Sequence, residues 1–282
     1  MKIQSLGTAL AENVKDDDTV VMGAALEALV PFAAGYEIIR QRRRGLTLIA
    51  PISDMLFDVL IGAGVASRVI ASWVGNVSAG SGYNFRRAIE EDVPAPLEMV
   101  DHSNLTLATA LHAGGLGLPY LPTRSTLGTD LLDANPELKT IRCPFTGEPL
   151  VAVAALRPDT SILAVQQADE NGNARIKGNS GVSADAARAS ERVVLLAEEI
   201  VSGEQLRSEP SQTTIPGFLV SAVVHLPRAC HPAPCYEYYD RDHDFFHAYH
   251  EASRTRDGFL AWLEEWVTSA RDHEAYLTHL TR

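Results

Sequence analysis

At 282 residues the chain is long enough to bury a full hydrophobic core as one large domain or two small ones. A formal charge of −12 argues against a nucleic-acid surface or an anionic-membrane binder, both of which need basic patches, so any anionic ligand has to be met by local groups. Three cysteines, Cys143, Cys230 and Cys235, are too few and too odd in number for the disulfide framework of a secreted protein.

The N-terminal MKIQSLGTALAENV spaces Ile3, Leu6, Leu10 and Val14 as one face of an amphipathic helix, not as a continuous apolar leader. No later run reaches the roughly 18 apolar residues of a membrane span, and the expected location is the cytoplasm. Strand-like and helix-like runs then alternate: TVVMGAA, PFAAGYEIIRQRRR, LTLIAP, MLFDVLIGAG, ASRVIASWV, YNFRRAIEE. This alternation implies βαβ units, and so an α/β fold: an open, mostly parallel sheet with flanking helices, with ligands at the carboxyl ends of the strands. Arg40, Arg42, Arg43 and Arg44 are expected to close a helix against the negative end of its dipole, with Gly45 just beyond; a phosphate site is the alternative. VMGAALEALVP has one glycine where a dinucleotide fingerprint needs three, and G-K-[ST], G-x-S-x-G and H-E-x-x-H are all missing.

WVGNVSAGSGYNFRRAIEE, Trp73 to Glu91, is a small, hydroxyl-rich corner between a strand and a charged helix, where a ligand of an α/β sheet belongs. The plainer alternative is a tight turn with Ser81 or Asn84 capping the helix. Next comes a helix with Leu105, Ala108 and Leu111 on one face, ending at Gly114 and Gly115, and then the rigid, proline-bearing loop LPYLPTRSTLGTD. Its Arg124, between Thr123 and Ser125, either binds a carboxylate through its fork or tethers the loop to a neighbouring carbonyl or acid. LVAVA and SILAVQQA read as two apolar runs joined by RPDTS, with a second turn at DENGN. A helix at SADAARAS, strands at RVVLLAEE and FLVSAVVHL, and a helical tail from Asp240 follow. The tail aromatics Phe245, Phe246, Tyr249, Phe259, Trp262 and Trp266 are expected to pack a core, and most of the seven histidines from His225 onward to lie on solvent faces. CHPAPC reads as a loop, with no metal expected, since it lacks a second ligand pair. Without repeats or linkers, residues 1–282 are expected to form a single domain.

Four segments, GNVSAGSGYNFRRAIE, HAGGLGLPYLPTRSTLGTDLL, CPFTGEPLVAVAALRPDTSILAVQQADENGNA and YYDRDHDFFHAYHEASRT, together resemble the α subunit of family I coenzyme A transferases, in the glutaconate CoA-transferase branch. The match runs from about residue 17 to the C-terminal helices. It implies a partner, a homologous β subunit, in a heterodimer or heterotetramer, and an acyl-CoA thioester and carboxylic acids as substrates, with no permanently bound cofactor. It also implies a catalytic glutamate on the β side that attacks the thioester. At the matching place this chain has PISD, with Asp54; Ser190-Glu191 and Ser208-Glu209 lack the Asn-Gly that follows the family's glutamate, so no catalytic nucleophile is expected here. The resemblance points to Ser78 and Ser81 as donors to a distal carboxylate or acyl oxygen, with Asn76 and Tyr83 lining the same corner. Asn104 in DHSNLTLA cannot act as a base, which favours transfer over a ring-opening hydrolase branch. The family's Gly-Gly-Phe segment appears only as GAALEALVP, keeping Gly23 and Pro31. The alternatives are an acyl-CoA hydrolase or decarboxylase on the same scaffold, and a binding subunit that holds an acidic metabolite without a partner.

Overall fold

The computed structural model describes residues 2–281. Its strands are β1 (Thr19–Met22), β2 (Leu46–Ile52), β3 (Ala66–Trp73), β4 (Gly75–Asn76), β5 (Gly80–Ser81), β6 (Glu98–Asp101), β7 (Tyr120–Thr123), β8 (Leu138–Arg142), β9 (Pro149–Ala154), β10 (Thr160–Ala168), β11 (Ala174–Arg175), β12 (Arg192–Ile200) and β13 (Ala222–His225). The helices are α1 (Leu6–Asn13), α2 (Phe32–Arg40), α3 (Asp54–Gly62), α4 (Tyr83–Glu91), α5 (Asn104–Gly115), α6 (Leu131–Ala134), α7 (Ser183–Ala189), α8 (Gly203–Arg207), α9 (His243–Ser253), α10 (Arg256–Leu263) and α11 (His273–Leu280).

The main sheet runs β13-β12-β10-β1-β2-β3-β6, all parallel, with β11 folded back antiparallel on the end of β10. The chain starts at β1 in the middle, moves outward through β2, β3 and β6, then returns to the other side of β1 with β10, β12 and β13. The order therefore reverses between β1 and β10.

Strand side chains alternate between two buried faces, as a sheet covered on both sides requires. Met22, Leu48, Val69, Ile162, Val194 and Val224 point into one core, completed by α1, α2, α3 and the tail helices. Val21, Ile49, Ile70, Leu163, Leu195 and Val223 point into the other, beneath α5 and α7. A separate antiparallel sheet, β7-β9-β8, packs Leu138, Val151 and Val153 against Ala110 of α5.

Several expectations are corrected here. Ile3 precedes α1 and is 41% exposed, because its backbone is committed to a bridge with Val223. α2 stops at Arg40, Arg42 takes a positive φ, and Gly45 turns directly into β2 against Asp17. Capping of α5 by Ser103 sets its inward stripe at Leu107, Ala110 and Leu111, leaving Leu105 exposed. LVAVA joins the small sheet, and of FLVSAVVHL only Ala222–His225 is strand, with Phe218 in solvent. His231 and His273 are buried, not on solvent faces. Each meets the tail aromatics: Tyr276 donates its O–H to His231 Nδ1 at 2.6 Å and stacks on His273. Phe245, Phe246, Tyr249, Phe259 and Trp262 are buried as packing residues.

Candidate active site

The loops at the carboxyl ends of the parallel strands meet along one edge of the sheet. They are the turn after β1, the elbow after β2, the Val74–Gly82 corner after β3, the segment after β11 and the stretch from β13 to α9. Ligands of open α/β sheets bind on this side, at the point where strand order reverses.

At the elbow, Asp54 takes a φ of 48°, a conformation that an aspartate tolerates better than most residues, and opens α3. Its side chain is buried. Oδ1 accepts the N–H groups of Met55 at 2.9 Å and Val77 at 3.0 Å, and Oδ2 accepts Arg241 Nη1 at 2.6 Å. Burial pushes the carboxyl above its usual range, while Arg241 and the two backbone donors oppose that shift. Arg241 also donates to Ser78 Oγ at 3.2 Å and to the Glu27 carbonyl at 3.1 Å, and its guanidinium lies 4.4 Å from the centre of the Phe246 ring. Ser78 Oγ is 3.2 Å from His243 Nδ1.

A second buried carboxylate shapes the corner from beneath. Asp58 receives the Phe85 N–H at 2.8 Å, the Asn84 amide at 3.1 Å and the Tyr249 hydroxyl, joining α3, the first turn of α4 and α9. Burial raises its pKa. Gly82 is needed at this point, because a Cβ there would meet Asp58 Oδ1 at 2.7 Å.

Three hollows open on the strand ends. Two adjoining clefts of about 360 and about 550 Å³ share Ala28, Asn179 and Pro234 beside the turn after β1, and Arg241 lines the smaller. The third, about 490 Å³, lies between β3, β6 and α4 and is lined by Ser72, Ser81, Arg86 and Asp101. A groove of about 580 Å³ beside α11 belongs to the tail helices and lies off the strand ends. Among the described residues no three His, Cys, Asp or Glu side chains gather as a metal site, and no helix is long and apolar enough to cross a membrane.

The sequence pattern of the coenzyme A transferase family matches residues 3–226. The chain belongs to that family. It is 38% identical to one subunit of the 3-oxoadipate CoA-transferase of Pseudomonas knackmussii, over 98% of this chain and 96% of the relative. It is 33% identical to one subunit of the glutaconate CoA-transferase of Acidaminococcus fermentans, over 99% of this chain and 92% of the relative. The crystal structure of that glutaconate enzyme superposes with a TM-score of 0.94, over 99% of this chain and 93% of the other. A variant of the decarboxylase AibA/AibB superposes with a TM-score of 0.78 at 26% identity, covering each chain completely.

Within this transferase chain the residues singled out from sequence divide. Asn76 is buried and committed to the fold: its amide donates to the Phe246 carbonyl at 2.8 Å and its Oδ1 accepts the Ser78 N–H at 3.1 Å. Ser78 faces Arg241 and His243, whereas Ser81 is exposed and lines the hollow next to β6, so the corner presents its two serines to different spaces. Tyr83 packs its ring 4.9 Å from that of His250 on α9. Neither Ser81 nor Asn84 caps α4; Gly82 holds the cap position and Asn84 is buried against Asp58. Asn104 is an exposed first residue of α5. Arg124 belongs to the end of the small sheet, where its fork is engaged 2.6 Å from Glu148 on the surface.

Sequence reasoning missed Arg241, Asp58 and Tyr249 as parts of this site; His243 is exposed, as expected, and still reaches Ser78. Arg241 meets Asp54 across a separation of 187 residues, and no local spacing signals such a pairing.

Proposed function

We propose that this chain is the α subunit of a heteromeric CoA-transferase that moves CoA between short-chain or dicarboxylic acids, with residues 1–282 working as one unit beside a homologous β subunit. The partner supplies the attacking glutamate. That carboxylate displaces CoA from the thioester to form an acyl-glutamyl anhydride; the released thiolate returns to the glutamyl carbonyl and expels the first acid; a second acid then takes the CoA by the reverse steps.

One observation carries the assignment of the nucleophile to the partner. The place at the end of β2 where this chain would hold its own is taken by Asp54, which is buried and engaged on both oxygens by Arg241 and two backbone N–H groups. With three donors on its two oxygens and its side chain buried, this carboxylate is held as a structural group. This subunit contributes the wall of the acid pocket instead, through Ser78, with Ser81 facing the neighbouring hollow beside β6 and Asn76 and Tyr83 supporting the corner; Asn104 and Arg124 are peripheral to it. Hydroxyls give direction to a bound acid without the desolvation penalty of a buried charge.

The test is the intact mass of each chain after co-purification with the natural partner and incubation with a panel of acyl-CoAs. A CoA-sized gain on a partner glutamate, discharged by a carboxylate acceptor, supports the reading. Thioester consumption that yields free CoA or CO₂ without an adduct replaces it by a hydrolase or decarboxylase, for which the likeness to AibA/AibB is the precedent. A stable chain with no partner and no turnover replaces it by a binding subunit.

A further inference from the structure

We infer that Arg241 is the specificity-determining cation of the acid pocket, and that Asp54 sets how much of its charge a bound acid meets. This rests on the α-subunit reading for the identity of the acid. It rests on geometry for the residue.

In a chain of net charge −12, a carboxylate ligand needs a local cation that is held in place and still reachable. Arg124 is held only by an exposed pairing with Glu148, on the small sheet. Arg241 is different: its side chain is 11% exposed, it is anchored by Asp54 and the Glu27 carbonyl and backed by Phe246, and it lines the cleft of about 360 Å³ beside the turn after β1. Glu27 gives Arg241 only its carbonyl. Ser78 Oγ accepts from Arg241, so the hydroxyl proton is left to donate, either to His243 Nδ1 or to an incoming oxygen. A carboxylate arriving at Ser78 would replace the histidine as acceptor and lie against the guanidinium. The ligand class is therefore the far carboxylate of a dicarboxylic acyl group, as opposed to the methyl end of a monocarboxylic one.

Asp54 works against that charge. It sits 2.6 Å from Nη1, so the pair is nearly neutral and the pocket discriminates through what remains. Replacing Asp54 by asparagine removes the negative charge and the acceptor for Nη1 but leaves the Glu27 carbonyl and Phe246 to hold Arg241, and should strengthen the discrimination. Removing the positive charge should abolish it.

The experiment uses the complex with the partner subunit, with succinate and butyrate as acids matched in carbon number. Two readouts are taken: KM and kcat as CoA acceptors, and the thermal shift that each free acid gives the complex. Asp54→Asn is expected to lower KM for succinate several-fold relative to butyrate. Arg241→Gln is expected to raise KM for succinate by about tenfold relative to butyrate, the worth of one charged hydrogen bond. Arg241→Lys should recover part of the preference. Arg241→Gln leaves Asp54 buried without its cation, so the double variant Asp54→Asn with Arg241→Gln, neutral on both sides, is made to keep the fold. It should match Arg241→Gln in specificity and exceed it in melting temperature. A purely structural pair would move both acids alike and both single variants in the same direction, and that result overturns the inference. If the complex transfers no CoA but succinate still gives a thermal shift that depends on Arg241, the transferase reading falls and the inference stands. If the complex transfers CoA without any acid preference that depends on Arg241, the inference falls and the transferase reading stands.

Discussion

The two serines of the corner illustrate what a residue's address decides. Ser78 and Ser81 are three positions apart in a stretch of small residues, yet one hydroxyl belongs to the Arg241 network and the other to the hollow lined by Arg86 and Asp101. Ser78→Ala is expected to raise KM for a dicarboxylic acid by about tenfold, since it removes the group that Arg241 orients, while Ser81→Ala has a smaller effect on the same acid. Steady-state kinetics on the matched acids checks this, and equal effects of the two variants would deny Ser78 its role. Beneath the corner, the Tyr249 hydroxyl is one of three donors to the buried Asp58. Tyr249→Phe leaves that carboxylate short of a partner and should cost about 1–3 kcal/mol, read from the urea midpoint. Gly82→Ala should cost a similar amount, about 1–3 kcal/mol, because its methyl group would press on Asp58 Oδ1.

Among the elements, α4 and most of the parallel strands were legible from their local patterns, whereas the short edge strand β6 was not expected. Val20, Val21 and Met22 are apolar without alternation, the mark of a strand buried on both faces, and YNFRRAIEE is helical over the residues expected. The tail was legible only as helical. The surroundings of two histidines depend on these helices folding back over α2 and α3, so that His231 packs against Phe245 and Tyr276 and His273 stacks on Tyr276. Burial holds both imidazoles below their ordinary value of 6.5, so as pH falls the unfolded chain takes up the proton first. The stability they contribute is fully present above 6.5 and declines below it. The Glu198 carboxyl, raised by burial, acts in the opposite direction, so the informative quantity is a difference between variants. His273→Gln, which can still donate to the Pro227 carbonyl, should lose less melting temperature than the natural chain between about pH 7.5 and about pH 5.5. Identical slopes would show that His273 does not titrate on unfolding.

For the whole molecule, the main sheet places the elbow, the corner and the returning Arg241 on one edge, and Asp54 at the elbow is buried. The expected outcome is that this chain alone leaves acyl-CoA thioesters intact and gains turnover only with its partner, measured by thiol release and by CoA exchange. Turnover by the isolated chain would contradict the assignment of the nucleophile to the other subunit.

Fold class and family were already written in the order of the residues. Alternating apolar runs impose a doubly covered parallel sheet, and four ordered motifs run along nearly the whole chain. The missing Glu-Asn-Gly likewise excluded a nucleophile of the expected kind at residue 54. The surroundings of the two arginines, by contrast, were decided in three dimensions. Arg124 has hydroxyl neighbours and looks equipped from sequence, but it ends on a separate small sheet against Glu148. Arg241, in a run of charged and aromatic residues with no motif around it, is carried by the chain's return from β13 to α9 onto the elbow after β2. Charge pairing and burial depend on which elements the sheet order brings together, and those contacts span separations that local spacing does not encode.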